Sequence, residues 1–175
     1  MINKKNMMAL IAIVFMVLIG AVPAFAATSS TQTAQVTVSD TVAITALFGS
    51  TVNGTISMGT LSADGLQTTV NGELLRTYSN VNVDVYTKSS GDLTGGSPAD
   101  TITLSNFVYN NGTDNAFTNS YVKMITNWNK APKSSYTEQA LPLKITIPVG
   151  TNPGTYTTTV YFSAVKTGNT APTTP

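Results

Sequence analysis

Hydrophobic and polar positions alternate with a period of two along most of this chain. That period places successive side chains on opposite faces of a pleated strand, so it predicts half-buried β-structure. The longest such run opens at Val36. Val36, Val38, Val42, Ile44, Ala46 and Phe48 share one parity, and Thr37, Ser39, Thr41 and Thr45 share the other. Asp40 interrupts the apolar face once, where a bulge or strand break is expected. Ile56 and Met58 predict a short second strand. Leu66 to Leu75 predicts another, broken by an Asn71-Gly72 hairpin turn. Val81, Val83 and Val85 alternate with Asn82 and Asp84, which predicts a strand with one polar face. Later strands are expected around Ile102–Phe107, Tyr121–Ile125, Leu143–Ile147 and Tyr156–Ala164. Gly, Pro, Asn and Asp clusters punctuate them at Gly91–Pro98, Asn110–Asn115 and Pro148–Gly154, and a polar loop is expected over Trp128–Glu138. Roughly seven to nine short strands with regular turns predict an all-β fold, a single antiparallel β-sandwich of Ig-like or jelly-roll type.

The first residues break this pattern. Lys4 and Lys5 precede an apolar run from Met7 to Val22, followed by Pro23-Ala24-Phe25-Ala26-Ala27. A positive start, an apolar stretch and a small-x-small end are the parts of a cleaved export signal, in order. A membrane anchor is the competing reading, since the run is near the minimum for a spanning helix. Removal after Ala26 divides the chain into a signal peptide (1–26), a flexible leader (27–34), a β-sandwich domain (35–167) and a disordered Pro/Thr-rich tail (168–175). The expected location is outside the cell, associated with its surface, with no stable membrane span after cleavage.

Composition narrows the function. Loss of Lys4 and Lys5 takes the formal net charge from +1 to about −1. No basic patch remains for a phosphate backbone, so nucleic acid is not an expected partner. The chain has no cysteine and no histidine. Disulfides, ordinary zinc sites, cysteine nucleophiles and Ser-His-Asp triads are therefore excluded. Serine and threonine make up roughly three in ten residues after Ala26, well above an ordinary globular chain. They are spread through apolar alternations, which suits the half-exposed face of a sheet rather than a mucin-like stalk.

Several positions could carry chemistry. Asn53-Gly54-Thr55 and Asn111-Gly112-Thr113 match the N-glycosylation acceptor pattern, and equally match good turn chemistry. Asp92, Asp100 and Asp114 lie in Gly/Asn-rich loops where calcium could bind, but lack the spacing of a known calcium loop, and capped turns explain them as well. Trp128, between Asn127 and Asn129, could stack on a sugar ring or close the end of a core. Glu73 and Glu138, the glutamates of the mature chain, offer a carboxylate pair for glycoside hydrolysis without a distinctive motif. Lys144 and Lys166 could join an asparagine in an isopeptide bond if an acid lay beside them. None of these amounts to catalytic machinery, and no enzyme activity, metal or cofactor is expected.

The run from Val36 to Phe48 can close its own sandwich or enter a neighbouring subunit that lacks a strand. Burying its six apolar side chains is worth on the order of 8–15 kcal/mol gross, before ordering entropy takes back a large share. A head-to-tail contact of this kind does not close on itself and generates fibres. The signal ending Ala24-Phe25-Ala26, the early Val36–Phe48 strand, the segment Val81-Asn82-Val83-Asp84-Val85-Tyr86 and the closing Ile145–Gly150 with Gly154-Thr155-Tyr156 together resemble exported β-sandwich proteins of biofilms and cell surfaces. In overall plan the chain resembles TasA-like matrix fibre subunits and archaeal bundling pili. That resemblance implies a self-partnered filament subunit whose N-terminal strand complements the next copy. A monomeric adhesin-like module, binding glycan or protein through the Trp128 loop, is the alternative.

Overall fold

The computed structural model describes residues 32–173, so the signal segment 1–26 and most of the leader lie outside the described residues. Residues 32–43 form no regular element. Fourteen strands follow: β1 (Ile44–Phe48), β2 (Thr51–Val52), β3 (Gln67–Val70), β4 (Glu73–Thr77), β5 (Val83–Ser89), β6 (Leu93–Gly95), β7 (Asp100–Ile102), β8 (Phe107–Asn110), β9 (Asp114–Ala116), β10 (Val122–Trp128), β11 (Thr137–Ala140), β12 (Leu143–Thr146), β13 (Tyr156–Thr157) and β14 (Val160–Lys166). One 3-10 turn, Leu104–Asn106, precedes β8. No helix among the described residues is long and apolar enough to cross a membrane.

Every strand pairing is antiparallel. The sheet orders are β11-β4-β1-β2, β10-β5-β14, β3-β12-β8-β9 and β13-β6-β7. All four contribute to one apolar cluster that includes Leu75, Val83, Val85, Leu93, Ile102, Phe107, Phe117, Met124, Leu143 and Ile145. The fold is an all-β antiparallel sandwich. All its strands lie in one compact unit that begins at Val38.

Alternation explains the closing strands well. Leu143 and Ile145 of β12 are buried while Lys144 between them is not. Val160, Phe162 and Ala164 of β14 pack against the core, as does Tyr156. Elsewhere the structure corrects the sequence-based expectation. Asn71-Gly72 is no hairpin turn. β3 and β4 pair with β12 and β11, which adjoin in the chain, and Val70 faces Leu143 while Leu74 faces Ala140. Four residues of one strand therefore span three of the other, which is a one-residue bulge in a single long ladder. Gly72 takes φ +125° there, and its carbonyl accepts the Gly49 N–H at 2.8 Å. Only glycine enters that region without strain.

Ile56 and Met58 pack against the core as expected, but their segment joins no ladder. β5 keeps the two faces its alternation predicts, Val83 and Val85 joining the core and Asp84 and Tyr86 facing Lys123, but its polar face is buried as well. It is the central strand between β10 and β14, covered on both sides. Its alternation therefore marks pairing of a buried acid rather than exposure to water.

Candidate assembly segment

The Val36–Phe48 run is split in two. Its second half, Ile44–Phe48, is β1, paired along its whole length with β4 from Ile44 opposite Thr77 to Phe48 opposite Glu73. Ile44 and Ala46 pack against the core from this strand. Leu47, on the other parity, is also buried, at 4 % exposure. The first half forms no strand. Val36 is 85 %, Val38 76 % and Val42 38 % exposed.

Between the halves lies a dense set of hydrogen bonds. The Asn80 side chain donates to the Ser39 carbonyl at 2.9 Å and accepts the Thr41 N–H at 2.7 Å. The Asn80 N–H donates to the Thr41 carbonyl at 3.2 Å. The Ala43 N–H donates to Ser79 Oγ at 3.0 Å. The Ala43 carbonyl accepts the Tyr78 N–H and lies 3.0 Å from Thr77 Oγ1 and 3.3 Å from Ser79 Oγ. Those two hydroxyls are 2.7 Å apart, and both residues are fully buried. Withdrawing Ala43 would leave buried hydroxyls short of partners, at about 1–3 kcal/mol for each unsatisfied group. Lys166 Nζ meets Asp40 Oδ2 at 2.6 Å beside this clasp. Asp40 thus interrupts the apolar alternation because it faces the end of β14.

The other sequence-derived candidates fall apart in space or acquire structural roles. Glu73 and Glu138 sit on one strand pair but on opposite faces. Glu73 points inward and is 2 % exposed, whereas Glu138 lies directly across from Arg76 and pairs with it at 2.6 Å. Two carboxylates on opposite faces cannot flank one glycosidic bond. Burial pushes the Glu73 carboxyl up to about 7. Asp92 Oδ1 accepts the Leu104 N–H, and Asp100 accepts the N–H groups of Thr101 and Asn152. Among the described residues no three acidic side chains converge as a metal site would require.

Lys144 meets Asp114 at 2.6 Å, and the Asn110 amide donates to the same carboxylate. A lysine, an asparagine and an acid therefore do come together. Hydrogen bonds from Lys144 and Asn110 hold the Asp114 carboxyl below its ordinary value, and it is 42 % exposed. An ionised, hydrated acid suits an ion pair better than proton transfer during amide condensation. Lys166 is committed to Asp40 in the same way.

Asn53 stands exposed at φ 51°. Asn111 is half-buried, and its side-chain nitrogen donates to the Met124 carbonyl while its oxygen accepts from Asn115. Of the two acceptor patterns, only the first presents a solvent-facing side chain.

Trp128 is not in a loop. It ends β10 opposite Val83, is half-buried and packs against the core. The exposed aromatic pair is instead Tyr78 and Tyr136, at 46 % and 39 % exposure, with ring centroids 5.7 Å apart and Arg76 4.3 Å over Tyr136. They border a cleft of 520 Å³ lined by Tyr78, Ser79, Asn80 and residues 131–136. This pair was hidden in the sequence because residues 58 positions apart meet only through the β4–β11 register.

The pairing of the buried Asp84 on β5 with the exposed Lys123 on β10 also escapes sequence reasoning. Asp84 is 1 % exposed and accepts from Lys123 Nζ at 2.7 Å and the Asn127 N–H at 2.8 Å. The Lys123 bond and then the Asn127 N–H hold its carboxyl below the ordinary value. It fastens β10 to β5 where their register shifts. No family model, curated protein or solved structure matches this chain.

Proposed function

We propose that this protein is an exported structural subunit that polymerises head to tail into an extracellular filament, by giving an N-terminal strand to the next copy. The observation that carries the reading is the pair Val36 and Val38, two large apolar side chains almost fully exposed on the chain leading into β1. A residue spacing of two sets both on one face of an extended strand. Strand addition uses such alternate side chains for pockets and the backbone for affinity. The export-type start of the sequence and the likeness in plan to secreted fibre subunits support it.

Size and electron microscopy of the protein secreted from the full gene test the reading. Filaments or very large species are expected; a clean monomer at all concentrations refutes it. The cleft beside Tyr78 and Tyr136 favours a second reading, a glycan-binding surface module, with these tyrosines in place of Trp128 as its contact. In that case Tyr136→Ala lowers binding to the producer's cell-surface polysaccharide at least tenfold in a sedimentation assay, and unchanged binding removes the idea.

A further inference from the structure

We propose that the outward face of the β10-β5-β14 sheet is a binding site for a carboxylate-bearing polysaccharide, with Lys88 as the group that takes the carboxylate. The site involves neither the chain ahead of β1 nor the cleft beside Tyr78 and Tyr136. Val83 and Val85 of β5 turn into the core, and Tyr86 and Lys88 share the other face of that strand. The register sets Tyr161 of β14 opposite Lys88 and Ser163 opposite Tyr86. Lys123 of β10 lies opposite Tyr86 on the other side. The Lys88 ammonium is 4.7 Å from the Tyr121 ring centroid and 5.1 Å from that of Tyr161, so it borders two rings at once. Lys123 stands 5.5 Å over the Tyr86 ring. Three tyrosines and two lysines therefore alternate across three hydrogen-bonded strands.

Charge singles out Lys88. Arg76 and Lys144, the other half-buried cations, each hold a carboxylate at 2.6 Å. Lys123 and Lys166 hold one too. Lys130 and Lys133 are exposed, and water solvates them. Among the described residues, Lys88 is the one cation half withdrawn from water with no acid in ion-pair reach. The rings return part of its lost hydration, about 0.5–2 kcal/mol each, and leave the charge unneutralised. A ligand carboxylate completes it with a charge-assisted hydrogen bond. The surroundings set the class of ligand. Half-buried Tyr121, Tyr161 and Ser163 offer a sugar apolar ring surface and hydroxyl partners together. A peptide strand needs a free sheet edge, and β5 has both of its edges taken by β10 and β14. A nucleic-acid backbone needs several free cations, and the second lysine of this face is already held by Asp84. One free cation among tyrosines matches a polymer whose carboxylates are set apart by sugar rings.

Capture of the protein secreted from the full gene on immobilised polygalacturonate, at low salt, tests the site. Binding is expected. Fully methyl-esterified pectin, the same backbone without its charges, is expected to bind at least tenfold more weakly. Lys88→Gln should weaken binding to polygalacturonate about tenfold, the worth of one charge-assisted contact, and Lys88→Arg should restore it. Lys133→Gln removes an equal charge from an exposed loop and should leave binding unchanged, as should Tyr136→Ala. The esterified comparison uses the wild-type protein, so it stays decisive even where a variant folds poorly. Absence of binding, equal binding to the esterified chain, or a loss in Lys133→Gln as large as in Lys88→Gln overturns the proposal. Equally tight binding to poly-glutamate, which carries carboxylates without sugar rings, overturns the polysaccharide as the ligand. A loss confined to Tyr136→Ala places the glycan in the cleft and overturns the sheet-face site.

Discussion

Glu73 is the residue whose chemistry is most at odds with its surroundings. It faces the interior of β4 across from Phe48, with burial as the sole cause of its raised carboxyl. An unfolded chain returns it to about 4.5. The fold therefore prefers the protonated form, and its contribution is fully present below about pH 4.5. It is lost as pH rises through about 7 and is level above that, a change on the order of 3 kcal/mol. Asp84 works in the other sense, stabilising above its ordinary value of 3.8 and losing that contribution as pH falls. Glu73→Gln is expected to raise stability at pH 8 and to flatten the decline between pH 5 and pH 8 in urea titrations. A variant with the wild-type slope over that window would show that Glu73 ionises without penalty. The sequence contains Glu73 in plain view, but nothing local distinguishes it from a surface glutamate. Its isolation follows from the bulge just before it, which sets its parity inward.

At the level of elements, legibility followed locality. Leu143, Ile145, Val160, Phe162 and Ala164 were readable because one face meets the core and the other does not, so a period of two survives. The two faces of β5 were readable but the burial of its polar face was not, because Asp84 there is matched by Lys123 rather than by water. Asn71-Gly72 misled because the same dipeptide that favours a tight turn also supplies the positive φ of a bulge. The bulge lets one long strand pair serve two sheets. Gly72→Ala, forced into φ +125°, is expected to cost about 1–3 kcal/mol. Chemical denaturation checks this, and a loss under 0.5 kcal/mol would mean that the bulge relaxes freely. The Val36–Phe48 alternation was legible as a pattern but not as a division, because the groups that clasp it sit at Thr77, Ser79 and Asn80, more than thirty residues away.

For the whole molecule, the sandwich holds together without disulfides by satisfying its hydroxyls. No fully buried side-chain nitrogen or oxygen among the described residues lacks a hydrogen-bond partner. This is how a chain so rich in serine and threonine keeps Thr77, Ser79, Thr87 and Ser89 inside. The composition made an all-β class readable, and it gave no hint that hydroxyls would be used internally as fasteners.

The Ala43 clasp has a mechanical consequence. A pull on the chain ahead of Ser39 along the axis of β1 is carried by the clasp and then by the β1–β4 ladder. Antiparallel ladder bonds lie across the strands, so such a pull loads the β1–β4 bonds sideways and together rather than peeling them one by one. The clasp sits at the upstream end of that ladder, where the load arrives first. A buried, cross-braced hydroxyl pair at that point anchors the incoming chain to its own sheet before the load reaches the ladder.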